Sequence, residues 1–194
     1  MTINETASQL FKRLNFPSIV LDIGGRAETF HVGNIFEIQI ISPCQSSSKV
    51  SIIQQFMNFF PDGDIVILSP GLGQSPEEDG GGIPRTAKRF HIFNILQFIA
   101  ALEIIGSKSS QSVTLIILDS LAPVLIAEKG YDGYLSPESL VTEALSSLKR
   151  ITNTKNAIAV WINSAPKSSG LRTNSRDNLF VLWKSFLLKS IELK

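Results

Sequence analysis

Ile40-Ile41-Ser42-Pro43-Cys44-Gln45-Ser46-Ser47-Ser48-Lys49-Val50-Ser51 is the stretch on which the reading of this chain turns. The apolar run Ile35 to Ile41 enters it as a buried strand, and Ile52, Ile53, Phe56 and Phe59 leave it at helical spacing within Val50 to Phe60. Strand, loop, lysine, helix is the layout of a phosphate-binding loop, whose pattern G-x-x-x-x-G-K-[ST] asks for glycine at 43 and 48 and a hydroxyl at 50. Pro43, Ser48 and Val50 stand at those positions. Glycines let a backbone wrap a phosphate with inward N–H groups at a helix N-terminus. Pro43 removes a donor and fixes φ, while Ser46, Ser47 and Ser48 add Cβ atoms where close approach is needed. Lys49 keeps the charge. Val50 cannot ligate Mg²⁺, and Ser51 is the neighbouring hydroxyl that a shift of register would bring in. The plain alternative for Lys49 is a solvated lysine at the start of a helix.

Outward from this loop, continuous apolar runs read as strands covered on both faces: Ser18 to Ile23, Ile35 to Ile41, Asp64 to Leu68, Val113 to Leu118 and Ala157 to Ile162. Helix-period stretches lie between them. Asn94 to Ile105 carries Ile95, Phe98, Ile99, Leu102 and Ile105 on one face. Pro137 to Ile151 has Ser136 as N-cap, Pro137 at the first helical position and Glu138 in the first turn. Alternating strand and helix predict an α/β fold, a mostly parallel central sheet with helices on both faces. Pro70 to Arg85, Glu128 to Ser136 and Pro166 to Asn178 read as loops.

The 194 residues, 43% of them hydrophobic and 18% charged, fit one compact domain that needs no disulfide or metal to hold a core. The single Cys44 excludes an intramolecular disulfide and a cysteine-based zinc cluster. His31 and His91 stand apart, so no metal site is expected. No apolar run is long enough to span a bilayer, and no signal peptide is read at Met1 to Glu5, so no membrane association is expected. A formal net charge of +1 leaves any nucleic-acid contact to a local patch.

From Gly33 to the C-terminus the order of segments resembles the ATPase core of the RecA/RadA recombinases, most closely their eukaryotic paralogues. Gly33-Asn34-Ile35-Phe36-Glu37-Ile38 is similar to the family's "G-x-I-T-E-I" entry to the loop, and Val113 to Ala122 to its Walker B strand ending in Asp-Ser. Tyr131-Asp132-Gly133-Tyr134-Leu135-Ser136 falls where the first DNA-binding loop lies, and the polar stretch from Ala165 where the second does. Ala159 to Ser164 is similar to the strand ending "V-x-x-T-N-Q", Leu182-Trp183 to "L-G-x-x-W", and Phe186 to Leu193 to the edge strand. The resemblance implies a RecA-like P-loop ATPase core over 33–194, with 1–32 as an N-terminal segment leading into it. The small helical N-terminal domain and the polymerisation peptide of the true recombinases have no counterpart here, so self-assembly into filaments is not expected.

The departures from the family bear on chemistry. The catalytic glutamate that orients the attacking water ends the strand after the loop helix, and Pro70 stands there, with no side-chain acceptor to serve as general base. The asparagine–glutamine step that senses the γ-phosphate becomes Asn163-Ser164. The vestigial nucleotide-binding residues are then Lys49, Ser51 and Asp119, no catalytic residue is assigned, and hydrolysis is not expected. No cofactor is expected either; ATP with Mg²⁺ would bind only if the degenerate loop still does. Candidate DNA-binding residues are Lys129, Tyr131 and Tyr134 in the first loop, where the tyrosines can stack on bases, and Lys167, Arg172 and Arg176 in the second. About three cations in a polar loop give modest, salt-dependent affinity, and a loop with no nucleic-acid role fits the same composition.

The resemblance implies a non-catalytic recombinase paralogue in homologous-recombination DNA repair. It would work in the nucleus, inside a small heteromeric mediator of the Shu type. The implied partners are another recombinase paralogue, a zinc-binding SWIM-domain protein, the recombinase filament and single-stranded DNA. Two other readings stay open: an active NTPase with an unorthodox loop, and a regulatory α/β interaction module with no DNA role. Phe11, Leu14 and Phe16 fit partner docking or ordinary core equally.

Overall fold

A computed structural model describes residues 18–40, 46–60, 64–71, 87–107, 113–121, 136–164 and 185–193. The elements in chain order are β1 (Ile19–Asp22), β2 (Ala27–Phe30), β3 (Ile35–Ile40), α1 (Ser46–Phe59), β4 (Asp64–Pro70), β5 (Lys88–Ile92), α2 (Ile95–Ser107), β6 (Val113–Asp119), α3 (Pro137–Lys155), β7 (Ile158–Ser164) and β8 (Lys189–Leu193). Six strands form one sheet in the order β5-β4-β6-β7-β3-β8. Every pairing within it is parallel.

Its inner strands β3, β4, β6 and β7 read as apolar runs because both faces are covered. Alternate residues go to two separate clusters. Ile35, Val66, Leu68, Ile116, Leu118, Ala159 and Trp161 pack with α2 and α3. Phe36, Ile38, Ile65, Ile67, Leu115, Ile117, Val160 and Ile162 pack with Ile52, Ile53, Phe56 and Met57 of α1. The topology explains the division. The chain passes from β3 through α1 to β4 in one direction along the sheet, then returns through α2 to β6 and through α3 to β7. Right-handed crossovers running in opposite directions set their helices on opposite faces. The fold is thus α/β with a parallel sheet between two helical layers, consistent with a RecA-like core.

Helix α3 follows its sequence signals. Ser136 is extended, its side chain accepts the Ser139 N–H at 3.2 Å, and proline opens the first turn. Asn156 closes the helix in the left-handed conformation at φ 55°.

Three segments depart from the sequence reading. Ser18 to Ile23 is not a strand of the parallel sheet. β1 pairs antiparallel with β2 as a separate hairpin, Ile19 opposite Phe30, and its exposure alternates because Val20 and Asp22 face solvent. Gly24 and Gly25 make its turn at φ 63° and 80°. The hairpin nonetheless belongs to the core, since Ile19, Leu21, Ile23 and Phe30 pack into the α1-side cluster. β5, Lys-Arg-Phe-His-Ile, escapes an apolar search because it is a half-buried edge strand. Finally, α1 begins at Ser46, a turn earlier than periodicity indicates, so the three serines lie in the helix and not in the loop. Serine at a helix start is favoured for its local hydrogen bonding, which an apolar periodicity does not register.

Candidate functional site

The C-terminal ends of β3, β4, β6 and β7 point the same way, as a parallel sheet requires, and ligands of such sheets bind at that rim. Lys49 sits in the first turn of α1, and Asp119 ends β6. Their side chains meet: the Lys49 ammonium forms an ion pair with Asp119 Oδ1, with side-chain exposures of 22% and 14%. The same ammonium donates to Ser120 Oγ at 3.3 Å. Asp119 Oδ1 is buried and receives no hydrogen bond of favourable angle, so the ammonium compensates it by charge and not by an aligned N–H. Ser120 holds the left-handed conformation at φ 52°, anchored by its N–H to Ile162 O at 2.9 Å. A serine there is strained, and such strain persists only where the surroundings fix it.

Ser51 does not join this pair. It is exposed and lines a cleft between α1, the hairpin and β8. Two of the three expected vestigial residues therefore come together, and the hydroxyl expected to replace the magnesium ligand does not.

Pro70 ends β4 opposite Ile92 of β5, half-buried. Gly71 follows, its N–H bonded to Ile92 O at 3.1 Å, and the Phe93 ring occupies the space that a Cβ at Gly71 would need. The position at which the resemblance expects a general base is thus the end of a strand pair, with an aromatic ring packed beside it.

Asn163, the residue matching the asparagine of the γ-phosphate-sensing step, is engaged elsewhere. Its amide donates to Glu37 Oε1 at 2.9 Å, and the Trp161 indole N–H donates to its Oδ1. Glu37 lies mid-strand in β3 and is fully buried. Gln39 Nε2 and Ser190 Oγ each donate to its Oε2 at 2.9 Å. Three donors from β3, β7 and β8 thereby satisfy a carboxyl group that burial alone would make costly. Sequence reading gave Glu37 no role of its own. The available signal was a carboxylate inside an otherwise buried strand, since a glutamate is almost never fully buried without partners.

Lys149 of α3 holds the turn before β3. Its ammonium donates to Gly33 O at 2.7 Å and Asn34 Oδ1 at 3.2 Å, and Gly33 has φ 79°. Burial lowers the Lys149 pKa by desolvating the charged form.

The DNA-contact candidates Lys129, Tyr131, Tyr134, Lys167, Arg172 and Arg176 lie outside the described residues, as do Pro43, Cys44, Trp183, Phe11, Leu14 and Phe16. His31, just after β2, and His91, on β5, are both exposed. Among the described residues no group of three or more His, Cys, Asp or Glu is placed to hold a metal, and no helix is long and apolar enough to cross a membrane. No protein-family model matches the sequence, and no curated protein does.

Among the described residues, this part of the rim presents Lys49 paired with the acid of β6, an apolar Val50 beside the lysine, and Pro70 at the end of β4.

Proposed function

We propose that this chain is a non-catalytic recombinase paralogue, a pseudo-ATPase subunit of a heteromeric mediator complex in homologous-recombination DNA repair. In that role it assists assembly of a recombinase filament on single-stranded DNA in the nucleus. What supports the loss of catalysis is that the Lys49 ammonium is paired with Asp119 while Pro70, which has no side-chain acceptor, ends the neighbouring strand β4. The recombination role rests on the collinear resemblance of segments, and the parallel α/β architecture is compatible with it. A RecA-type core without hydrolysis still offers subunit faces that can cap or template a filament. Lys129, Tyr131, Tyr134, Lys167, Arg172 and Arg176 are the proposed contacts to single-stranded DNA. Another paralogue and a SWIM-domain zinc protein are the proposed partners.

Affinity purification of the tagged full chain from its native cells, with mass spectrometry of what accompanies it, tests this reading. Recovery of a recombinase, a paralogue or a SWIM-domain protein is expected. Recovery of none of the three overturns it. For the DNA role, binding to a fluorescent single-stranded oligonucleotide should weaken steeply with salt and fall on changing Lys167, Arg172 and Arg176 to Ala.

A further inference from the structure

β8 is one edge of the six-stranded sheet, and beside it lies a cleft of about 700 Å³. Lys189 to Leu193 form one wall, and the hairpin residues Ile23, Gly24, Arg26 and Glu28 line the other side with Ser51, Ile52 and Gln55 of α1. The hairpin is fixed against the edge at both ends. Lys189 is ion-paired to Glu28, and Gly24 packs so closely on Leu193 that a Cβ there would collide with it.

We infer that this cleft is a strand-addition slot, which takes an extended segment of a different polypeptide as a seventh strand on β8. An edge strand presents N–H and C=O groups that an incoming strand can satisfy. The size fits. A five-residue strand runs about 16 Å, is about 4.8 Å wide in the sheet and about 10 Å deep across it, roughly 800 Å³ in all. The chemistry of the occupant follows from the walls. Ile191 and Leu193 face the hairpin side with the apolar cluster, so the segment carries apolar residues on that side. Glu192 is exposed on the opposite face, where Ser190 turns to Glu37, and it calls for a basic residue across from it. Arg26 is exposed on the cleft rim and calls for an acidic one.

A second copy of this chain does not meet these demands. Two β8 strands related by a two-fold axis through one sheet pair antiparallel, and residues opposite each other must lie on the same face. Lys189 and Glu192 lie on different faces, so they cannot oppose one another. In any register that pairs most of the strand, Glu192 would meet Leu188, Ser190 or its own copy, none of them basic. The slot therefore selects a foreign strand, and this holds whether or not the partner belongs to a recombination complex.

Two measurements on the full chain test the slot. Amide hydrogen exchange of the free protein should show alternate β8 amides, those not directed at β3, exchanging at least about tenfold faster than the others. Equal protection of all of them means that the edge is already covered and overturns the proposal. A phage-displayed library of random 12-residue peptides (roughly twice the length of an average strand) is then selected on the immobilised protein. Binders with alternating apolar residues and both charge signs are expected, which protect the exchanging amides and lose at least about tenfold in affinity on Glu192→Lys or Arg26→Glu. Both residues are exposed, and circular dichroism checks that the variants fold. Failure to select any binder, or binders indifferent to both substitutions, overturns the proposal. Neither result bears on whether a recombinase co-purifies.

Discussion

The ammonium of Lys49, at the start of α1, rests against Oδ1 of Asp119, at the end of β6, and ties one helical layer to the sheet. With side-chain exposures of 22% and 14%, the pair stands between the surface and the buried case. Exposed pairs contribute about 0–1 kcal/mol, and breaking a fully buried one costs about 3–5 kcal/mol. Lys49→Met should therefore destabilise by roughly 1–2 kcal/mol, since it leaves the acid desolvated and unpaired. Adding Asp119→Asn to it should recover part of that loss. Urea unfolding of the two single variants and the double gives the coupling directly, and strictly additive losses would show that the pair carries none.

The same pair makes a prediction about ligand. A nucleotide must displace Asp119 from Lys49 before it gains the lysine. ATP with Mg²⁺ is expected to leave the thermal midpoint unchanged. A ligand at about 100 times its Kd adds about 2.7 kcal/mol to stability, which a melting curve resolves without difficulty. A rise in midpoint with ATP that vanishes in Lys49→Ala would establish a working nucleotide pocket and end the pseudo-ATPase reading.

Glu37 and Asn163 hold the β3–β7 seam on the opposite face from α1. Glu37→Gln puts a donor amide where Gln39, Asn163 and Ser190 already donate, and one of those donors then loses its acceptor. A loss of about 2–3 kcal/mol is expected, in the range for an unsatisfied buried group. Asn163→Ala costs less by itself, and its effect should shrink when Glu37 is already changed, with a coupling of about 1 kcal/mol or more between these contacting residues. Wild-type stability in Glu37→Gln would mean that the carboxyl group is not the centre of the network.

Much of the fold was legible in the chain, for physical reasons that also mark the limits. Ile35–Ile40, Val113–Asp119 and Ile158–Ser164 are central strands buried on both faces, so their composition alone declares them. The caps of α3 were written in Ser136, Pro137 and Glu138. β5 and β2 were not readable in this way, because an edge strand and a hairpin arm expose half their residues and carry polar ones. Lys49 could be named from the strand–loop–helix order, and Asp119 from the resemblance to a Walker B strand. That they face each other depends on strand order, which sets only β7 between β6 and β3, and no local pattern contains strand order. Ser51 shows the converse, since a hydroxyl two residues from Lys49 on a helix points away from it.

Lys149 gives a pH dependence whose sign can be worked out. Desolvation lowers its pKa in the folded chain below the ordinary 10.5. Between that lowered value and 10.5 the unfolded chain binds the extra proton, so stability rises with pH across this interval. Below it both states carry the proton and the contribution is constant. One such group changes stability by at most about 1.4 kcal/mol per pH unit. Lys149→Arg keeps a donor for Gly33 O but stays charged, so the alkaline gain should be absent in it. Urea midpoints of both proteins across the alkaline range make the comparison. Parallel curves would mean that the ammonium is not desolvated in the fold.

The last prediction concerns whether the hairpin is an appendage or part of the domain. Phe30 of β2 is fully buried, and its ring meets Phe36 of β3 and Phe56 of α1 edge-on, each at 4.9 Å between centroids. Removing it deletes both aromatic contacts and leaves a cavity between the hairpin, the sheet and α1, so Phe30→Ala should cost about 3–5 kcal/mol. Trp161 reports on the other face of the sheet, inside the cluster shared with α2 and α3. If the hairpin folds with the domain, Trp161 fluorescence, read in a Trp183→Phe background, and far-ultraviolet circular dichroism will both shift to the same lower midpoint in the variant. A hairpin that merely rests on the core would let Phe30→Ala leave the Trp161 transition where it was, and the border of the folded unit would then lie after residue 32 and not before β1.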